Sequence, residues 1–512
     1  MRDPKAFVFE PLTSAIAAAK ILNHATKASA ALRALLIAVF LCANAFPLHA
    51  QTYSTLASFS GANGADPNSE ALVQGLDGNF YGTTEAGGAN QVGVVFRVTA
   101  QGALTTLYSF CSLSNCTDGS GPRGGLVLGR DGNFYGTTVK GGTENLSAGG
   151  NGTIFKITPA GALTVLHSFC GAACSEGVSP YSRLVESTGG TFFGTTLSGG
   201  VYDLGTVYKI SLQGVFSTIY SFCPVTGCPD GASPILGLVQ GSDGKFYGLT
   251  FAEIYPSTLF SITANGKLTT LYTFCPSGAP CTDGTYPAGE LVQGVDGNFF
   301  GVNHSDGSGG GGTIYEITPQ GQLTVLYSFC GKGKCPDGNL PSGGLALATD
   351  GNFYGTAGLG GTCFTGSPGC GTLFQITPNG VFTLLYTFCP AKKCLDGEEP
   401  DTTLVQGTDG ALYGLATYGG TAGDGVVFKL DMGLEPFVRL LPPLGKPGAK
   451  IFILGTNLAG ATRVSFNGTP ASFKVISSSQ INAAVPAGAT SGVVTVTTPQ
   501  GSFSSNVAFD VP

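Results

Sequence analysis

The chain has 512 residues, among them 81 Gly, 29 Pro and 15 Cys, and only 11 % are charged. The usual charged share is roughly 25 %, and a chain this apolar can bury enough surface to offset its ordering entropy, which excludes intrinsic disorder. The net charge of −7 comes without a Lys/Arg cluster, so nucleic acid is excluded as a partner. Glycine follows no three-residue period, which excludes collagen.

In chain order, Arg33 precedes an apolar run from Ala34 to Ala45. That run is too short for a spanning helix, which needs about 20 apolar residues. A basic flank, a short apolar core and small residues afterwards predict a secretory signal over 1–50, cleaved after Ala45 or Ala50. No later stretch is long and apolar enough to span a membrane as a helix. The mature chain is expected to be secreted, periplasmic or at the cell surface, and monomeric.

The phrase Asp-Gly-Asn-Phe-Tyr-Gly, or a close variant, starts at Asp77, Asp131, Gly189, Asp243, Asp296, Asp350 and Asp409. Each copy holds a short apolar run, an Asp-Gly hairpin signal, an aromatic Thr-rich run ending in a double glycine, an alternating run such as Gly152–Gly161, and a closing run such as Ala162–Cys170. Leu163, Val165, His167 and Phe169 are predicted to share one side of that closing strand. Four short strands per copy, seven times over, predict an all-β fold with a seven-bladed β-propeller over 51–431. The segment Tyr53–Phe59 matches a fourth strand, and the last copy stops after its third strand. The ring is therefore expected to close by pairing 53–59 against 426–430.

Cys42 falls within the leader. The other fourteen cysteines form local pairs, Cys111/Cys116, Cys170/Cys174, Cys223/Cys228, Cys275/Cys281, Cys330/Cys335, Cys363/Cys370 and Cys389/Cys394. An even count in an exported chain predicts seven disulfides. Zinc wants four convergent ligands, and each pair offers two thiols and no His.

Near each closing strand stands an acid or amide followed by Gly, two residues and Pro. The acids are Asp118, Glu176, Asp230, Asp283, Asp337 and Asp396, with Asn63 in the first copy. Asp before Gly can cap its own turn; sevenfold repetition can also build a negative rim that attracts a cation or a polyol. The second acid series, Asp77 to Asp409, is read as hairpin-turn residues. Neither series has the spacing of a Ca²⁺ loop.

After the leader two histidines remain. His167 stands where other copies have Tyr and is read as a strand substitution. His304, in a Gly-rich loop, is a candidate binding residue. No catalytic, P-loop or zinc motif is visible, so no catalytic residue, metal or cofactor is expected. The double glycines and the period resemble kelch repeats, and kelch-type copper oxidases also carry an immunoglobulin-like domain. Copper needs imidazole ligands, and this sequence does not bring two together.

From 432 the repeat gives way to short alternating strands without Cys, predicting an immunoglobulin-like β-sandwich over 432–512. This segment resembles an IPT/TIG domain through GTNLAGATRVSFNGTPASF, Ile481–Pro486 and Gly492–Thr498 followed by Pro-Gln-Gly. The repeats are similar to the GloVer type of bacterial choice-of-anchor proteins, through DGNFYGTT, the double glycine and GTIFKITP. That resemblance implies an exported, surface-associated bacterial protein and offers no catalytic residues. The expected function is non-enzymatic binding or scaffolding of a glycan or a surface protein, on the face of the disulfide loops and the variable loops at 143–152, 251–257 and 363–370. The alternative is a glycan hydrolase or lyase using acids of that face.

Overall fold

The computed structural model describes residues 51–67, 71–143, 150–169, 175–251, 254–276, 278, 280–331, 333–364 and 369–512. The predicted leader lies outside the described residues, as do parts of the three variable loops. Cys170 and Cys174 also lie outside the described residues. In the second copy the Asp131-Gly132 turn, with Gly132 at φ 79°, joins Leu126–Leu128 to Phe134–Thr138. Thr153–Ile157 and Leu163–Ser168 follow, and the four strands pair in chain order, all antiparallel. Among the described residues seven such four-stranded sheets carry the repeats, and no α-helix occurs.

The sheets form a β-propeller closed by the first and last strands of the repeat region. Thr52–Ser58 is the outermost strand of the last sheet and runs antiparallel to Val426–Asp431, with Thr52 opposite Asp431 and Ser58 opposite Val426. The Phe-Tyr dipeptide of the repeat explains how neighbouring sheets adhere. Successive strand residues point to opposite faces, so the first aromatic meets the preceding sheet and the second meets the following one. The resulting ring pairs are Tyr81–Phe134, Tyr135–Phe192, Phe193–Phe246, Tyr247–Phe299 and Phe300–Phe353, with centroids 4.1–4.3 Å apart. Across the closing seam Phe80 packs on Tyr413 at 3.9 Å. The remaining interface sets Tyr354 against Leu412 in one core cluster.

The glycine after that dipeptide is needed for a cross-strand aromatic ring. Gly136 sits opposite Phe155, and a Cβ there would stand 2.6 Å from Phe155 Cζ. The fourth strand differs from its predicted alternation. Ile154 pairs with His167 but Phe155 pairs with Val165, so Leu166 forms a bulge. The extra residue turns His167 and Phe169 away from the face of Leu163 and Val165, because one inserted residue reverses the side-chain period. The same shift recurs in the other repeat sheets.

Two further sheets build the C-terminal sandwich, Arg439–Leu441, Lys450–Leu454, Phe473–Val475 and Gln480–Ala484 against Arg463–Phe466, Thr469–Pro470, Val494–Thr498 and Gly501–Ser504. Its core includes Val438, Ile453, Val464, Phe466, Ile481 and Phe509. The sandwich touches the hairpin face at the seam. The Thr408 and Thr456 hydroxyls are 2.9 Å apart, Ser479 Oγ donates to the Leu76 carbonyl at 2.9 Å, and the Phe437 N–H donates to the Thr408 carbonyl at 3.1 Å.

Candidate functional site

The loop from each fourth strand to the next sheet lies on the face opposite those hairpins. The predicted rim acids sit under this loop at the outer strand, each in its own sheet. Asp118 is fully buried; its Oδ2 accepts from Tyr108 Oη at 2.7 Å and Ser112 N–H at 2.8 Å, and its Oδ1 from Leu113 N–H at 3.2 Å. Burial and this bond push the Tyr108 hydroxyl up to about 12. Asp230, Asp283 and Asp396 take the hydroxyls of Tyr220, Tyr272 and Tyr386 and the main-chain N–H of Cys223, Cys275 and Cys389, all within 3.0 Å. Asp337 accepts from Tyr327 at 2.7 Å and from Cys330 N–H at 3.4 Å. In the second copy His167 replaces the Tyr and Glu176 the Asp, and the two meet at 3.2 Å. In the first copy Asn63 Oδ1 accepts the Ser60 N–H at 2.9 Å. Each carboxylate has an oxygen engaged by its own fourth strand or loop, and the structure does not bring them together.

Where the sequence predicts seven disulfides, six cysteine pairs are bonded among the described residues. Their Cα–Cα distances are 4.0 Å for Cys111–Cys116, 4.4 Å for Cys223–Cys228, 4.9 Å for Cys275–Cys281, 4.1 Å for Cys330–Cys335, 6.0 Å for Cys363–Cys370 and 4.2 Å for Cys389–Cys394. The seventh predicted bond, from Cys170 to Cys174, is not one of these six, because Cys174 and Cys170 both fall outside the described residues.

The loop then makes a turn that the sequence did not disclose. The residue before each junction proline is left-handed in all seven copies: Asp66, Gly121, Ser179, Ser233, Tyr286, Leu340 and Glu399, at φ 53–63°. Such a backbone costs on the order of 1–3 kcal/mol at a non-glycine and persists only where surroundings over-determine it. Here hydrogen bonds from two sheets do so. The Glu399 N–H donates to the Cys370 carbonyl of the preceding sheet, and its own carbonyl accepts from Thr417 N–H, both at 3.0 Å. Ser179 repeats this with Asn151 at 2.8 Å and Leu197 at 3.0 Å.

Beyond the proline the chain enters the channel mouth. Arg123, Tyr181, Ile235, Ser342 and Asp401, each following its proline, join His304 around a cavity of about 280 Å³. Of the predicted site residues, His304 alone lines it. Arg123 is 2.6 Å from Glu85 and lies over the Tyr181 ring, 4.7 Å from its centroid. Burial, and then nearby Asp66, raise the Asp401 carboxyl above its usual range, against a hydrogen bond from Ser342. Gly358 makes room for that carboxylate, since a Cβ there would stand 2.1 Å from Asp401 Oδ1. Burial and Glu85 likewise raise Asp66, opposed by Arg123. Burial lowers His304, whose Nδ1 is 3.1 Å from Ser305 Oγ. His167 stacks on Phe216 at 4.0 Å between the second and third sheets, away from the mouth. Among the described residues no group of three or more His, Cys, Asp or Glu side chains is placed to hold a metal ion.

The Gloeobacter/Verrucomicrobia repeat model matches residues 45–174, 115–293 and 256–437, together well over half of the sequence. The chain belongs to the Gloeobacter/Verrucomicrobia repeat family. This repeat protein also carries an IPT/TIG domain, matched over 437–511. No curated protein sequence matches it. Among solved structures the repeat protein is similar to a fungal alcohol oxidase of the AA5 family in complex with copper, at 14 % identity, TM-score 0.49, with 90 % of this chain and 98 % of that one covered. It is also similar to a puromycin hydrolase at 14 % identity, TM-score 0.42, covering 87 % and 60 %, and to a luciferin-regenerating enzyme at 15 %, TM-score 0.37, covering 60 % and 89 %. Those likenesses are too remote to bear on the activity of this repeat protein.

Proposed function

We propose that this chain is an exported, non-enzymatic binding protein that takes a carbohydrate at the channel mouth. Residues 1–50 serve as a leader cleaved after Ala45 or Ala50, 51–431 form the binding ring, and 432–512 form the supporting sandwich. The disulfide pairs support an oxidising compartment, and no helix among the described residues is long and apolar enough to cross a membrane. The observation that carries the reading is the mixed lining of the mouth. Tyr181 offers an aromatic face, Asp401 and Ser342 offer hydroxyl-binding oxygens, and Arg123 fixes the Tyr181 ring. Sugars present just such alternating apolar and hydroxylated faces, and convergent polar groups in a concave site supply orientation.

One observation favours catalysis as the second reading. A carboxyl raised by burial beside another carboxylate has the character of a general acid, and Asp401 with Asp66 has it. A glycan array of the secreted chain, followed by calorimetry on the best oligosaccharide and a reducing-end assay, separates the two. The binding reading expects saturable affinity without new reducing ends, and at least tenfold weaker affinity for Tyr181→Ala. Turnover abolished by Asp401→Asn would establish the enzyme instead.

A further inference from the structure

Below the mouth, the channel position just before the first-strand leucine is small in five copies: Ala71, Gly125, Gly237, Gly344 and Thr403. The other two carry opposite charges, Arg183 in the third copy and Glu290 in the fifth. Arg183 Nη2 reaches Glu290 Oε2 at 2.5 Å, with Nε 3.4 Å from Oε1. The pair spans the intervening copy over Gly237, where a Cβ would stand 1.9 Å from Glu290 Oε1. Beneath it lies a lumen of about 640 Å³, walled by aliphatic side chains of all seven innermost strands and floored by Arg439, Leu441, Pro442, Pro443 and Asn506 of the C-terminal segment.

The charges of this lumen do not balance. Its lining holds Arg130, Arg183 and Arg439 against Glu186 and Glu290. Arg130 is engaged by Glu186 at 2.5 Å and Arg183 by Glu290. Arg439 donates to the Gln406 carbonyl at 2.9 Å and lies 5.9 Å from the Phe437 centroid. Neither partner is an anion. Burial and repulsion from Arg183 pull the Arg439 guanidinium down to about 10. A cation taken out of water into an aliphatic cavity is costly unless it gains a counter-charge, and a guanidinium matches the oxygens of a carboxylate or phosphate.

We propose that the lumen is a second binding site, one that takes a small oxyanion, a carboxylate or phosphate group, on Arg439 with Arg183 beside it. Entry is from the mouth, with which the lumen shares Thr403. Glu290 competes with the anion for Arg183, so the ion pair tunes affinity. The test is calorimetry and thermal unfolding of the whole secreted chain with inorganic phosphate, acetate or glucuronate at constant ionic strength. Phosphate and acetate report a free anion, and glucuronate reports the acid group of a sugar that reaches down from the mouth. Saturable binding of at least one probe is expected. It should weaken at least tenfold in Arg439→Met, weaken less in Arg439→Lys, and tighten several-fold in Glu290→Gln, a gain that a purely structural Arg439 would not produce. Absence of saturable binding for all three probes, or equal binding by the wild type and Arg439→Met, overturns the proposal. If Arg439→Met does not fold, unchanged binding in both Arg439→Lys and Glu290→Gln overturns it.

Discussion

Asp118, Tyr108 and the main-chain N–H groups of Ser112 and Leu113 act as one clamp, and the copies that depart from it depart as a set. Where Tyr becomes His167, Asp becomes Glu176; where the Tyr position is Ala57 and the Cys is Ser60, the acid is Asn63. Asp118→Ala would remove a buried charged acceptor from three part-buried hydrogen bonds and should destabilise the protein by about 2 kcal/mol, measured by denaturant unfolding, with oligosaccharide affinity at the mouth unchanged. Repetition of the acids was legible in the sequence. Their hydroxyl partners, ten or eleven residues upstream, were not, because the bulge that aims Tyr108 is a register event without its own residue signature. Asp401 was missed for a related reason: only the left-handed residue before Pro400 turns the following side chain into the mouth. The titrating groups of the ring, His304 and Asp401 at the mouth and His167 between two sheets, give opposite signs. His304 and His167 are held below 6.5 chiefly by burial, so the unfolded chain takes up protons first and stability falls as pH drops through 6.5. Asp401 is held above 3.8 chiefly by burial, so stability is lost as pH rises from 3.8 through its folded value, and the penalty is fully present above it. Asp401→Asn should therefore raise the unfolding midpoint at pH 7 while weakening sugar binding, as thermal scans and calorimetry would report.

At the scale of elements, the four-strand unit follows from turn chemistry and period-two patterning, and both were readable. Two details were not. The strict alternation over 163–169 breaks at Leu166, and six of the seven innermost strands are only two or three residues long, the exception being Thr285–Gln293. Their glutamines instead join neighbouring sheets: Gln240 Oε1 accepts from Thr188 N–H, Gln293 Oε1 from Ser242 N–H, both at 2.9 Å, and Gln406 Oε1 from Thr349 N–H at 3.0 Å. The disulfides staple the adjacent junction loops. Each closes a short loop, worth about 2 kcal/mol in the loop-entropy model. Replacing Cys223 and Cys228 by Ser should lower unfolding stability by about that amount, and a loss near zero would show that the Asp230 clamp alone holds the loop.

For the molecule as a whole, ring closure was legible in the complementary ends, and the sandwich in its alternating strands. What the sequence did not disclose is that the sandwich bridges the seam, bonding Thr408 of the last copy and Leu76 of the first. At that same seam Thr408 N–H reaches Gln74 Oε1 at 3.0 Å. Removing residues 432–512 should therefore lower the unfolding midpoint of the ring and increase hydrogen exchange first in Thr52–Ser58 and Val426–Asp431. The central claim is that ligands are taken at the mouth and that the rim acids only brace their loops. Its most direct measurement is oligosaccharide affinity by calorimetry for Tyr181→Ala and Asp230→Asn side by side. The account predicts at least a tenfold loss in the first and wild-type affinity in the folded second. Loss in Asp230→Asn with Tyr181→Ala unaffected would contradict it.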